Sequence, residues 1–504
     1  MNVNMVLSAS LDGLSSQVVE VEASLTKGLP SFSIVGLASS DIQEAKERAK
    51  SALLTSGYEL PTYRITINLS PSDIKKSGTH FDLAIALLVA LKDRPTAHKD
   101  IFVFGELGLD GSVKSSSQLF PIILSLKEQG FIKDAIVPKD AIKALSYIDG
   151  VNFYGVSNLK ECVDIFNANK LPEPSNIDKE KSYKSITIKD KEYFYKEEFK
   201  LDFKDILGQE VAIRAALISA SGGHNILLNG SPGSGKSMIA KRLRYILPPL
   251  SQEEILAIAR YEFLDGKDAS FEPIRPFRSP HHTTTTAAIF GGGSHTAKIG
   301  EVALANNGIL FFDELPHFPS KILEALREPL QDRVINIARV NTKVSYKADF
   351  IFFGAMNPCP CGNLLSKVRE CRCTDAEIAR YKNRLSDPFL DRIDIYVTMQ
   401  EVDFSKKNTT TSEQMFTQVL NAFKAQKQRG QDRLNGKLQE NEIAKYCKLS
   451  DDAIEILQRA TINFGLSFRT IANIKKVART IADLNQHKDI EKEDILEALS
   501  YRKR

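Results

Sequence analysis

Eight residues from Gly230, Gly-Ser-Pro-Gly-Ser-Gly-Lys-Ser, carry the spacing G-x-x-x-x-G-K-[ST]. The small residues Gly230, Ser231, Pro232, Gly233, Ser234 and Gly235 let backbone N–H groups close around a β-phosphate, while Lys236 brings positive charge and Ser237 a hydroxyl for Mg²⁺. The loop also delivers the phosphate to a helix N-terminus. The chemistry implied is binding of a nucleoside triphosphate, with ATP and Mg²⁺ as the expected ligands.

A second constellation is the run Gly308-Ile309-Leu310-Phe311-Phe312-Asp313-Glu314, a buried-strand pattern that ends in two acids. Acids at the carboxyl end of a parallel strand sit where open α/β sheets bind ligands. Asp313 is expected to hold Mg²⁺ through water, and Glu314 to polarise the water that attacks the γ-phosphate. A surface acidic pair rarely follows such an apolar run. Phe350 to Met356 reads as another buried strand, and Asn357 at its end could orient water beside the γ-phosphate. A third group is Cys359-Pro360-Cys361 with Cys371-Arg372-Cys373. Four thiolates suit tetrahedral Zn²⁺, yet each pair is C-x-C where structural zinc sites usually have two to four intervening residues, so zinc and free or redox-active thiols both stay open. Cys162 and Cys447 stand alone and read as packing residues.

These groups need elements to hold them. Asn225 to Leu228 supplies a buried strand before the glycine-rich loop, and Met238, Ile239, Leu243 and Ile246 give the following segment an apolar helical face that ends before Pro248-Pro249. Residues 1–170 show mixed α/β patterning, with alternation over 17–22 and 63–69 and a helix over 42–56. A charged stretch, 171–200, reads as a linker with one short strand. Residues 201–404 hold the phosphate loop, and their entry helix repeats Val211, Ala215, Leu217 and Ile218. After a Thr- and Ser-rich connection, 413–504 is helical throughout, with stripes such as Ile454, Leu457, Ala460 and Ile471, Ile474, Val477, Ile481. Arg479 and the tail Arg502-Lys503-Arg504 read as solvated charges.

A chain of 504 residues, 42% apolar, is long enough for two to four domains. It has no run of about 20 uncharged apolar residues. The start lacks a basic segment followed by a long apolar one, so no membrane association and a cytoplasmic location are expected. Six cysteines, four in one short stretch, do not form a secreted disulfide framework. A net charge of +4 is a weak lean toward polyanions.

Arg275 to Thr284, Gly291-Gly292-Gly293, Gly300 to Ala305, Asp313-Glu314-Leu315-Pro316 and Leu323 to Leu330 have no account in general patterning. Together they closely resemble the magnesium-chelatase-like AAA+ family of the YifB and ComM proteins, over almost the whole chain. The resemblance implies a central αβα P-loop domain of AAA+ type at 201–404 and a C-terminal helical lid at 413–504. The segments Gly28 to Pro30, Ile34 to Leu37, Asn68 to Pro71, Phe81 to Ala84 and Gly105 to Gly111 resemble the family's N-terminal domain, which implies a ribosomal-S5-like α+β fold related to the Lon protease domain at 1–170. The serine and lysine of a Lon-type dyad are missing near Thr79 to Asp82 and near Leu119 to Pro121, so a scaffold or docking role is expected instead.

Kinship assigns further roles. Ile206 and Gly208-Gln209 match an element that packs near adenine, and Asn357 matches sensor 1. Ser386 to Asp394 matches the segment that carries an arginine finger, with Arg392 first and Arg384 second. The competing reading of Arg392 is a local ion pair with Asp391 or Asp394. Arg469, after Ser467-Phe468, matches sensor 2 over the γ-phosphate. Family resemblance implies a hexameric ring motor on single- and double-stranded DNA, a helicase or branch-migration factor in recombination or natural transformation. Its pore candidates are the hairpin Val334 to Tyr346, with Arg339 and Lys343, and the glycine-rich insert with Lys298. The alternatives are the ATPase subunit of a metal chelatase and an ATP-gated protein adaptor. His281-His282 reads as part of a structured loop insert, since adjacent histidines diverge on a strand or helix.

Overall fold

Alternating strands with one apolar face require a layer to cover them, and in the computed structural model that layer is helical. The structure describes residues 4–502 apart from 93–97, 99, 169, 178–182, 293–297, 339–342, 367 and 402–407. The chain divides into two compact units, one of residues 1–181 with 259–271 and 338–345, the other of the remainder.

The first unit holds a seven-stranded mixed sheet. Its strand order is Ser31–Val35, Arg64–Ser70, Ser15–Thr26, Asn4–Asp12, Phe102–Val103, Asp134–Pro138, Asn152–Val156. The strands Asn4–Asp12 and Ser15–Thr26 form an antiparallel hairpin in which Val6 faces Val21. Helices Ser40–Thr55 and Asp82–Leu91 contribute Ala45, Ala49, Ala52 and an almost wholly apolar Leu83–Val89 to one continuous core with the sheet. Among the polar groups buried in this unit are His80 and Asp82. His80 is held neutral by burial, its pKa lowered to about 4, with a ring nitrogen 2.8 Å from the Ala9 carbonyl. Asp82 is met by the Arg48 guanidinium at 2.6 Å.

The second unit is built on a five-stranded parallel sheet, ordered Phe277–Arg278, Ile309–Phe312, Ile351–Met356, Ile226–Asn229, Ile395–Thr398. The three central strands are completely buried, which accounts for their unbroken apolar sequences. Helices Glu210–Gly222 and Lys236–Leu243 share the sheet's core, and the C-terminal helices Ser412–Gln428 and Phe468–Leu484 pack on Glu210–Gly222. Asp451–Phe464 and Lys492–Ser500 complete the helical region.

Several local readings change. The stretch 171–200 contains two strands, Lys184–Ile188 and Lys191–Tyr195, which pair antiparallel and gain Leu250–Ser251 as a third. Val211 is 61% exposed although its neighbours Ala212 and Ile213 are buried, so it lies on the outer face of its helix, and Met238 and Ile454 also face outward. Arg479 is buried, not solvated. Asp483, one turn on, lies 3.0 Å from its guanidinium, and the Lys488 and His487 carbonyls accept from Nη1 and Nη2.

Candidate functional site

The strand Ile226–Asn229 ends at Gly230, and the chain then turns through Gly233 and Gly235, both at positive φ of 80° and 95°, into the helix that starts at Lys236. Glycine makes those conformations inexpensive. Lys236 is buried, and its Nζ donates to the Gly230 carbonyl at 2.5 Å, the Ser231 carbonyl at 2.9 Å and Asn357 Oδ1 at 3.2 Å. Burial lowers its pKa to about 8, and nearby Asp313 opposes that shift. A buried ammonium beside a glycine-rich turn that opens a helix fits a polyanionic phosphate chain.

Ser237 Oγ donates to Asp313 Oδ2 at 2.7 Å, so the hydroxyl and the carboxylate expected to share a cation do meet. Both are oxygen donors, as Mg²⁺ requires. Asp313 Oδ1 in turn accepts from the Glu314 N–H at 3.0 Å. Glu314 has φ of 50°, a left-handed value that costs a non-glycine residue energy and turns its side chain out of line with the strand. Half exposed, its carboxylate lies 3.8 Å from the His282 ring nitrogen. In the sequence His281-His282 reads only as part of a structured loop insert. The two rings lie tilted at 35° with centroids 4.1 Å apart, and His282 is the one that reaches the acid. Lys236, Ser237, Asp313, Glu314 and Asn357 therefore converge at the carboxyl ends of adjacent parallel strands.

Arg392 and Arg469 do not join that group. They line a separate cleft of about 990 Å³ with Arg333, Lys437 and Lys476, and none of residues 230–237 lines it. Among the described residues no carboxylate pairs with Arg392. Its Nε donates to the Arg327 carbonyl at 3.0 Å and its Nη2 to Gln331 Oε1 at 2.6 Å. Asp394 is engaged instead by the Asn225 N–H at 2.9 Å. Burial and the neighbouring charge of Arg469 both lower the Arg392 pKa. Arg469 itself is exposed, flanked by the outward-facing Ile462, Phe464 and Phe468. Arg384 donates to the Pro316 carbonyl at 3.0 Å.

Ile206 is buried, and Gln209 adopts φ of 60° while its amide donates to the Gln400 carbonyl at 2.6 Å. The four sulfurs of Cys359, Cys361, Cys371 and Cys373 come together within 4.8 Å of one another. Cys162 and Cys447 are buried singly. Of the basic groups outside the nucleotide region, Lys298 is exposed, whereas Arg339 and the side chain of Lys343 lie outside the described residues. No helix among the described residues is long and apolar enough to cross a membrane.

Comparison with known proteins agrees with this layout. Residues 202–407 match the family model for magnesium chelatase, subunit ChlI, residues 21–141 match a second ChlI model, and 409–502 match the ChlI C-terminal model. Competence protein ComM of Haemophilus influenzae is 36% identical over 513 residues, covering 100% of this chain and 98% of its own. YifB of Escherichia coli is 35% identical over 512 residues, covering 100% and 97%. A Mycobacterium tuberculosis protein, Rv2897c, is 32% identical over 518 residues, covering 98% and 97%. With family matches in both units and similarity from end to end, the chain belongs to the magnesium-chelatase-like AAA+ ATPase family of ComM and YifB.

Proposed function

We propose that this protein hydrolyses ATP as a ring of its own copies, a hexamer, and that the ring moves DNA as a helicase or branch-migration factor. The observation that carries the ring is the separation of two half-sites within one chain. Lys236, Ser237, Asp313, Glu314 and Asn357 form one, and Arg392 with Arg469 lines a different cleft. An arginine without an acidic partner, set apart from its own phosphate loop, suits a nucleotide held by a neighbour. The apolar Ile462, Phe464 and Phe468 beside Arg469 suit a surface covered by that neighbour.

Within a site, Lys236 neutralises the β- and γ-phosphates and the loop N–H groups orient them. Mg²⁺, held by Ser237 and through water by Asp313, would supply charge neutralisation between those phosphates. Glu314 takes a proton from the attacking water while Asn357 positions it. Arg392 of the adjacent subunit stabilises charge on the transferred phosphoryl group, with Arg469 beside it rather than over the loop of its own chain. The N-terminal unit, read as an S5- and Lon-like fold, serves as a scaffold or docking domain. The whole assembly works in the cytoplasm.

DNA as the track rests on kinship with a protein named for competence. Exposed Lys298 on the insert offers a phosphate contact, which is all a non-specific track needs. A second reading is favoured by the name of the matched family: the ATPase subunit of a metal chelatase, which acts on a protein partner and needs no DNA. ATP turnover measured with and without single- and double-stranded DNA separates the two. Stimulation by DNA is expected, and indifference to both forms would favour the chelatase or an adaptor role.

A further inference from the structure

The four clustered cysteines are held by two different elements. Cys359 and Cys361 follow the buried strand Ile351–Met356, separated from it only by Asn357 and Pro358. Cys371 and Cys373 immediately precede the helix Asp375–Lys382, whose start is fixed by reciprocal hydrogen bonds between Thr374 and Glu377. Neither element needs the other's cysteines for its own packing. Their sulfurs nonetheless converge, Cys359 to Cys361 at 3.4 Å, Cys359 to Cys371 at 3.7 Å and Cys361 to Cys371 at 3.6 Å.

These separations discriminate between the chemistries left open by the sequence. A disulfide needs sulfurs about 2.05 Å apart, and none of these pairs is close to it. Four sulfurs at the corners of a tetrahedron around Zn²⁺, each about 2.3 Å from the metal, lie about 3.8 Å from one another. The three separations among Cys359, Cys361 and Cys371 match that figure within a few tenths of an ångström, and Cys373 joins them in a set within 4.8 Å. Four protein ligands also leave no position for water, the arrangement of a structural rather than a catalytic zinc site. The short C-x-C spacing is accommodated because each pair spans only two corners, while the remaining geometry comes from the strand end and the helix start.

The turn that carries the first pair touches the phosphate loop. Gly362 sits at φ of 79°, its N–H donates to the Cys359 carbonyl at 3.0 Å, and a Cβ added there would lie 2.6 Å from Pro232 Cδ. Only a glycine lets the turn approach Pro232 so closely. On the other side, Tyr381 of the helix is hydrogen-bonded to the Asn357 backbone. The cluster thus lies among Pro232, Asn357 and the helix, one contact from Lys236.

We propose that Cys359, Cys361, Cys371 and Cys373 bind one zinc ion that clamps the 358–362 turn against Pro232, so that zinc loading sets the affinity of the phosphate loop for nucleotide. The second half of this statement rests on the nucleotide reading of Lys236; the first does not.

The full-length protein, purified under reducing conditions without chelator, should contain about one zinc per chain by elemental analysis. Absence of stoichiometric zinc, together with failure to take it up on addition, would overturn the site in favour of free thiols. Replacement by Co²⁺ should give the intense visible absorption of a tetrahedral tetrathiolate complex, and a weak octahedral spectrum would overturn the ligand set. The double variant Cys361→Ser with Cys371→Ser should lose the metal; retention at wild-type stoichiometry would overturn it.

The clamp is tested separately with a fluorescent ATP analogue. Release of zinc should weaken its binding about tenfold, and zinc re-addition should restore it. Because metal loss could unfold the segment, Gly362→Ala serves as the second variant. It should keep its zinc and still bind the analogue about tenfold more weakly, since the methyl group meets Pro232. Wild-type affinity in Gly362→Ala would overturn the clamp. Lys236→Ala is the reference: if it too binds the analogue normally, the nucleotide reading fails, while the zinc count stands unaffected.

Discussion

The phosphate loop and the arginine cleft each hold cationic side chains, yet they treat that charge in opposite ways. Lys236 is buried, with its donors met by carbonyls of its own loop and by Asn357, and with Asp313 beside it. Arg392 is met by a carbonyl and an amide but by no carboxylate, and Arg469 stands next to it with the same sign of charge. Like charges set side by side carry a cost, which Asp391 and Asp332 oppose from a distance without pairing with Arg392. In the proposed ring, the loop is nearly complete in one chain and the cleft is not. Completion of the cleft by a neighbour's phosphates would remove the asymmetry.

The comparison breaks most visibly at Arg392. Arg392→Ala is expected to leave ATP binding intact while hydrolysis falls by about 10³ to 10⁵. Equilibrium binding and single-turnover rates on the same sample check both halves. Mixing that variant with Lys236→Ala should restore activity at those interfaces where an intact arginine meets an intact loop, and failure at every ratio would place Arg392 in its own site. Next comes Glu314→Gln, which keeps the ligand oxygens of Asp313 and should bind ATP yet turn it over about 10² to 10⁴ more slowly. Arg469→Ala should cost about a hundredfold in rate if it donates beside Arg392. A loss of ATP affinity in place of that rate effect would instead put it over the loop of its own chain.

The smallest effect sharpens the comparison through pH. Burial lowers the Lys236 pKa to about 8, so the ammonium is fully charged well below that value and loses its proton as the pH rises through it. ATP affinity, which needs the charge, is therefore expected to be constant at lower pH and to fall up to about tenfold per unit above pH 8. Arginine does not titrate in this range. A rate step attributable to the cleft should consequently show no such inflection, and titration of binding and single-turnover rate between pH 6 and about 9.5 distinguishes the two sites.

What was legible in the sequence was local. The phosphate loop, the acidic strand end and Asn357 each read as a short motif at the end of an apolar run, because a parallel strand buried on both faces leaves little else to its sequence. The parts that were not legible depend on packing between distant segments. Arg479 reads as an ordinary helix-surface charge until the turn at His487 and Lys488 folds back to accept from it. The strands at 184–188 and 191–195 read as a charged linker with one short strand because the third strand, Leu250–Ser251, which pairs with 191–195, lies beyond the phosphate loop in sequence. Arg469 could be placed on a helix start from Ser467, but not beside Arg392, since spacing carries no information about which face of the sheet a later helix covers. The C-x-C pairs likewise gave ligands without geometry.

Asn225 joins the two half-sites mechanically. Its N–H donates to Asp394 at 2.9 Å, its side-chain NH₂ to the Arg392 carbonyl at 2.9 Å, and its side-chain oxygen accepts from the Phe352 N–H at 2.9 Å. One amide thus ties the base of the phosphate-loop strand to the base of the strand that ends in Asn357 and to the backbone of the arginine segment. With that joint the Arg392 segment has no slack against the loop strand, whose four residues form a rigid arm about 13 Å long. In the proposed ring, a shift at one end of that arm would reach the other as displacement, with a single asparagine as the fulcrum.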